Sequence, residues 1–340
     1  MRHLLFAALS VVLSVPAMAT PTGIYFFGDS LTDVGNVTAL YAMGTPPPGA
    51  PTTIPGPPYD PQGRASNGPI YADVLAAGVG SGLTATPSVL GGNNFAFGGA
   101  RTRYQIFGSP FQGILEQVQT FIAQPGAADS GALYVLWGGS NNLQDIVVGK
   151  TTDVTGNPIP NVPETLGDLA GAIGALYAEG ARNILVPNVA DLSLVPRIRE
   201  MLALLPPPVA AAQRAQIRGL SMAYNGGLAS TLGTLEQLYT GLDIVAFDAF
   251  SNLDEIVANA AAYGFTNTTD RCYTGDDTGF TGGGTVCANP DDYLWWDGIH
   301  PTSALHAILG QRMLRAVPEP GTLLLMGLAL ALGFGRRLRG

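Results

Sequence analysis

Two short fragments at opposite ends of the chain carry residues that can do chemistry together. Gly28-Asp29-Ser30-Leu31 follows the apolar run Ile24–Phe27, and Asp297-Gly298-Ile299-His300 lies near the other end. A serine hydroxyl becomes a useful nucleophile only when a base removes its proton. The 340-residue chain has three histidines, and His3 falls in an apolar leader. His300 and His306 remain, and His300 is the one with a carboxylate three residues before it. Ser30, His300 and Asp297 therefore read as nucleophile, base and orienting carboxylate. His306 reads as a helix residue without a role, and Asp29 as a brace for the nucleophile loop. No Gly-x-Ser-x-Gly elbow is present, which disfavours the α/β-hydrolase arrangement. Asp291 and Asp292 are adjacent and cannot straddle a sugar ring as a glycosidase pair must.

The elements that must hold these groups read as alternating strands and helices. Strands are expected at Ile24–Phe27, Asn94–Phe97, Ala132–Trp137, Asn183–Pro187 and Asp243–Phe247. Helices are expected at Ile70–Ala77, Phe111–Ala123, Thr165–Glu179, Val209–Leu238 (one or two), Leu253–Ala262 and Pro301–Leu314, the last capped by Thr302 or Ser303. Met43–Gln62 is rich in proline and glycine and reads as an irregular surface loop. The alternation implies an α/β/α sandwich around a mostly parallel sheet. In such a sheet, ligands sit beyond the carboxyl ends of the strands. Ser30 follows the first strand, Gly99 the second and Asn141 the third, so all three arrive at one rim.

Two more fragments lie between the ends: Asn94-Phe95-Ala96-Phe97-Gly98-Gly99-Ala100 and Gly139-Ser140-Asn141-Asn142. With all four in this order, and with Gly63-Arg64-Ala65-Ser66-Asn67-Gly68-Pro69, the chain resembles the GDSL lipases and esterases, also called SGNH hydrolases. The resemblance runs from about Ile24 to Arg315 and implies a flavodoxin-like strand order. Its four letters fall on Ser30, Gly99, Asn141 and His300. It implies an oxyanion hole made by the backbone N–H groups of Ser30 and Gly99 and the side-chain amide of Asn141. One position departs from the pattern: Asn142 stands where the family usually has Asp.

Both ends read as addresses rather than structure. Met1-Arg2-His3 leads into an apolar run that stops at Ala17-Met18-Ala19, the form of a secretory signal peptide. At the other end Val317-Pro318-Glu319-Pro320 precedes an apolar run, Thr322–Gly335, closed by Arg336, Arg337 and Arg339. That run is short for a spanning helix. It resembles the PEP-CTERM sorting signal, which implies transient membrane contact through the tail and signal peptidase and exosortase as processing partners. The expected parts are a leader at 1–19, a hydrolase domain at 20–316 and a sorting tail at 317–340. The product is then exported: periplasmic, cell-surface or extracellular in a Gram-negative bacterium. The central part, about 300 residues, is ample for one α/β domain. The formal net charge is −9 with no basic patch, which argues against nucleic acid as a partner.

Cys272 and Cys287 are the two cysteines. In an exported chain a pair this close reads as a disulfide across a Gly-, Thr- and Asp-rich loop. No metal or other cofactor is expected. Asp270, Asp276 and Asp277 are the alternative, a calcium site, but they miss the spaced EF-hand pattern. The function expected is hydrolysis of a small-molecule or lipid carboxylic ester through an acyl-enzyme. Phospholipase and carbohydrate deacetylase remain alternatives on the same site. A non-catalytic surface or matrix binding protein is the alternative of a different class. Trp295 and Trp296 are expected to pack the rim, where one could line an acyl pocket.

Overall fold

Four five-residue runs assemble into one parallel sheet. The computed structural model describes residues 20–44, 54–80, 82–104, 111–126, 128–153 and 156–317. The expected leader, 1–19, and all but Val317 of the expected sorting tail lie outside these residues. β1 (Ile24–Gly28), β2 (Leu133–Trp137), β3 (Asn183–Pro187) and β4 (Asp243–Phe247) pair in that order. Ile24 stands opposite Leu133, and Leu133 opposite Asn183. Every residue of β2 is buried, as a continuous apolar run covered on both faces should be. The expected strand at Asn94–Phe97 runs beside β1 on its other edge. Phe26 donates to the Asn93 carbonyl (3.0 Å) and accepts from Phe95 N–H (2.7 Å), but regular pairing is limited to a bridge between Phe26 and Asn94. Counting this segment, the order is the flavodoxin-like one.

The helices are α1 (Asn36–Met43), α2 (Tyr71–Val79), α3 (Ile114–Ile122), α4 (Ser140–Val147), α5 (Val162–Ala178), α6 (Pro196–Ala203), α7 (Pro207–Leu238), α8 (Ala249–Ala258) and α9 (Ser303–Ala316). α2 packs on α9, and Arg312 of α9 bonds Asn252 and Glu255 of α8. α3, α5 and α7 pack in series as the other helical layer. α7 is one continuous helix of 32 residues. Thr302 caps α9, accepting from Leu305 N–H.

Five elements depart from the sequence reading. α1 lacks an amphipathic period and is started by Asp33, whose carboxylate accepts from the N–H groups of Gly35, Asn36 and Val37. α4 opens on Ser-Asn-Asn, residues that favour loops until tertiary partners claim their side chains. α6 is a short helix with Pro196 at its first position. β5 (Asn267–Arg271) and β6 (Tyr293–Trp295) form a separate parallel pair. The polar Asn-Thr-Thr-Asp-Arg run of β5 offers no apolar alternation to read. Tyr59, Cys272, Tyr273 and Trp296 form a small buried cluster apart from the main core.

Candidate active site

Ser30 is presented by a turn that the sheet side fixes tightly. β1 ends at Gly28, whose N–H and carbonyl are both held by the Gln117 amide of α3, at 2.9 and 2.8 Å. The Asp29 carbonyl accepts from Thr32 and Asp33 N–H, both at 2.9 Å, which reverses the chain. The Asp29 carboxylate accepts from Leu31 N–H at 3.0 Å, as the expected brace. Burial pushes the Asp29 carboxyl up to about 6, against the Leu31 N–H and the charges of His300 and Arg101. Asp33 also accepts from Gly98 N–H at 2.9 Å, which ties the serine turn to the Gly98-Gly99 turn. Gly99 has φ +80°, a conformation that glycine adopts without strain.

His300 arrives from the opposite side. Its Nε2 lies 2.8 Å from Ser30 Oγ and its Nδ1 2.6 Å from Asp297 Oδ2. Asp297 Oδ1 accepts from Ile299 and His300 N–H at 2.8 and 2.7 Å. Tyr59 donates its hydroxyl to Oδ2 at 2.7 Å. Burial raises the Asp297 carboxyl, but the His300 charge and these hydrogen bonds outweigh it and hold it below the usual range. An ionised Asp297 only accepts, so Nδ1 carries the imidazole proton and Nε2 is left to accept from Ser30. His306 is buried instead, accepting from Tyr71 N–H at 3.4 Å, and burial pushes it down to about 3.

The histidine loop is clamped at nearly every residue. Gly298 N–H donates to Asp277 Oδ2 at 2.7 Å, and the Gly298 carbonyl accepts from Arg197 N–H at 2.8 Å. The His300 carbonyl accepts from Trp296 N–H at 2.8 Å. Ser66 Oγ donates to the Pro301 carbonyl (2.9 Å), and Asn67 Oδ1 accepts from Ser303 N–H (2.8 Å). The Gly63–Pro69 block therefore braces the histidine loop. Cys272 and Cys287 are bonded to each other, and the loop they close carries Asp277. The aspartates weighed as a calcium site are spent on protein groups. Asp276 accepts from Thr278, Gly279 and Thr281, Asp277 pairs with Arg197 and Arg271, and Asp270 accepts from Asn267. No cluster of three or more possible metal ligands occurs among the described residues.

Asn141 stands in the first turn of α4, just after Gly139. Gly139 has φ +105°, and a Cβ there would come within 2.2 Å of the Tyr224 hydroxyl. The Asn141 amide donates to the Ala100 carbonyl at 3.0 Å and lies 3.5 Å from Asp29 Oδ2. The departure at Asn142 has a physical reason. Thr102 gives its hydroxyl proton to Asp168 (2.7 Å), so its oxygen needs a donor, and the Asn142 amide supplies one at 3.2 Å. An aspartate could accept from Thr102 N–H, as Asn142 Oδ1 does at 3.1 Å, but could not donate. Two cavities open from the Ser30–His300 pair. One, of about 120 Å³, is lined by Gly99, Asn141, Arg197, Asp277 and Phe280 among others. The second, of about 70 Å³, is walled by apolar side chains that include Trp295.

Residues 24–313 match the model of the GDSL-like lipase/acylhydrolase family. The chain belongs to this family. Membership makes it a hydrolase of ester bonds, with the family's α/β fold. A GDSL esterase/lipase of Arabidopsis thaliana is 28% identical, covering 93% of this chain and 92% of its own. Acetylajmalan esterase 2 of Rauvolfia serpentina is 26% identical, covering 86% and 89%. Among solved structures, a carbohydrate acetylesterase from Sinorhizobium meliloti is similar at 13% identity and a TM-score of 0.42, over 87% of this chain and 97% of that one. Residues 316–339 match the PEP-CTERM protein-sorting motif, which points to export in Gram-negative bacteria and to processing by an exosortase. The structure places Asp297, His300 and Ser30 in one hydrogen-bonded line, with Gly99 and Asn141 lining the same cavity. Sequence reasoning missed Tyr59, Gln117, Asp33, Arg197 and Asp277. Tyr59, Gln117, Arg197 and Asp277 act on distant residues, and Asp33, beside its local bonds to α1, reaches Gly98 65 residues on.

Proposed function

We propose that this chain is an exported serine esterase that cleaves carboxylic esters through an acyl-enzyme. The unbroken line from Ser30 Oγ to His300 Nε2 (2.8 Å) and from His300 Nδ1 to Asp297 Oδ2 (2.6 Å) carries this reading. His300 takes the serine proton as Oγ attacks the ester carbonyl. Asp297 keeps the ring in the productive tautomer and stabilises the imidazolium. Tyr59 and the N–H groups of Ile299 and His300 hold Asp297 in place. The negative oxygen that develops is received by the N–H groups of Ser30 and Gly99 and by the Asn141 amide, which turns its more weakly engaged N–H toward it. The disulfide Cys272–Cys287 supports the loop that fixes Gly298. The active domain spans residues 20–316, freed by cleavage after Ala19 and near Pro318-Glu319-Pro320, with residues 317–340 as the sorting tail.

Ser30→Ala should abolish hydrolysis of p-nitrophenyl esters with the fold retained by circular dichroism. Asn141→Ala should lower kcat about 10²–10³-fold with little change in KM, as loss of a transition-state donor does. A folded Ser30→Ala protein with ordinary turnover would remove the mechanism.

A further inference from the structure

We infer that the smaller cavity is the acyl site and that it selects short acyl chains, while the larger cavity receives the alcohol and then water. This rests on the esterase reading above. The two cavities meet at Ser30, Asn141 and His300, which line both, and differ in chemistry. The smaller one is walled by Leu192, Ala249, Leu253, Trp295, Leu305 and Leu309, all buried. The larger one offers Asp33, Arg197, Asp277 and Thr278 beside Phe280.

The reaction itself assigns the two. In the first half, a bond forms from Ser30 Oγ to the acyl carbon and the bond to the alcohol oxygen breaks. The serine proton passes through His300 Nε2 to the departing alcohol. In the second half, a water oxygen attacks the same carbon, its proton goes to Nε2, and Ser30 Oγ leaves with that proton. Alcohol and water thus occupy the same side of His300 in turn, while the acyl chain stays put through both halves. Water needs polar partners. The larger cavity offers Asp33, Arg197, Asp277 and Thr278, whereas the smaller one is mostly apolar, with Asp29, Ser140, Asn141 and Gln144 its polar residues beside the reacting pair. The acyl chain is the substrate part that gains from a dry, apolar wall.

Size sets the chain length. The apolar cavity, at about 70 Å³, is less than half of the roughly 150 Å³ that holds a benzene ring in an engineered apolar site. Leu305 and Leu309 are one turn apart on α9, so that wall runs about 6 Å. This admits a few methylenes and excludes a long fatty tail.

The test is the chain-length profile of kcat/KM on p-nitrophenyl acetate, butyrate, octanoate and palmitate. The wild type should gain about fourfold per added methylene up to butyrate, then lose activity at octanoate and beyond. Leu309→Ala should move the optimum to longer chains, and Ala249→Leu should erase the gain of butyrate over acetate. Phe280→Ala, in the other cavity, should leave the profile in place. A wild-type profile in both folded apolar-wall variants, or a shift caused by Phe280→Ala instead, would overturn the assignment. Failure to cleave any ester would strike the esterase reading. Butyrate binding, read as a rise in Tm that is lost in Ala249→Leu but kept in Phe280→Ala, would still decide the cavity, and no rise would refute it.

Discussion

The nucleophile and the base are held by two regions built on different physics. Ser30 and Asn141 follow the buried strands β1 and β2, and Gly99 follows the extended segment beside β1, all packed against the main hydrophobic core. Asp297 and His300 hang on a segment with little regular structure. It is fixed by a disulfide, a small aromatic cluster and point-to-point hydrogen bonds from Tyr59, Asp277, Ser66 and Asn67. A core distributes its support over many contacts, so a single truncation there costs stability before it moves any one catalytic group. The second region concentrates it in a few polar groups, so single changes there should reach catalysis directly. The aromatic cluster links the two kinds of support. Tyr59 packs edge-on against Tyr273, Phe280 and Trp296, with ring centroids 5.5, 5.4 and 6.0 Å away, and aims its hydroxyl at Asp297.

The largest effect should come from Asp297→Asn. The amide can donate to Nδ1 and so favours the wrong imidazole tautomer, and turnover should fall about 10⁴-fold with the fold intact. Ester kinetics beside a thermal melt measure both. A small loss would mean that the second region does not orient the base. Next in size is removal of the disulfide by Cys272→Ser with Cys287→Ser. Loop closure of this length contributes about 3 kcal/mol in the chain-entropy model. The melt should drop and residual activity per folded molecule should drop too, because the loop holding Gly298 is looser. A lower melt with unchanged kcat would separate the staple from the site.

A pH experiment sharpens the contrast on the sheet side. Asp29 is raised from 3.8 when unfolded to about 6 when folded, so its contribution to stability is full below pH 3.8 and is lost as pH rises through 6. Asp29→Asn should therefore be more stable than the wild type above pH 6, by up to roughly 3 kcal/mol. That advantage should vanish below about pH 4. Denaturant melts at pH 4 and pH 8 give the comparison, and an advantage independent of pH would contradict it. The smallest effect should be that of Tyr59→Phe, which keeps the ring packing and removes one hydrogen bond to the carboxylate. We expect about a tenfold fall in kcat, near 1.4 kcal/mol, with KM unchanged. Unchanged kcat would reduce Tyr59 to a packing residue.

What the sequence disclosed follows the same division. β3 and β4 were legible to both ends, because each is a short apolar run opened by a polar residue, although β3 is buried and β4, at the sheet edge, is mostly half-buried or exposed. Ser30 and His300 were legible because a serine after such a run meets a single histidine with a nearby carboxylate. The supports of the second region were not. Tyr59 lies 238 residues from Asp297 within a proline-rich loop, and nothing periodic distinguishes it from its neighbours. Asp277 was weighed as a calcium ligand and instead accepts from Gly298 N–H. α4 has no counterpart among the expected helices, because the asparagines at its start are held by Thr102 and Ala100, distant partners that local propensity does not record.

The most direct test of the account is to label the whole protein with a fluorophosphonate and map the modified peptide by mass spectrometry. The account predicts one adduct, on Ser30, with loss of ester hydrolysis in step with labelling and with no label in a folded His300→Ala variant. An adduct on any other residue, or full hydrolysis by protein stoichiometrically labelled at Ser30, would contradict it.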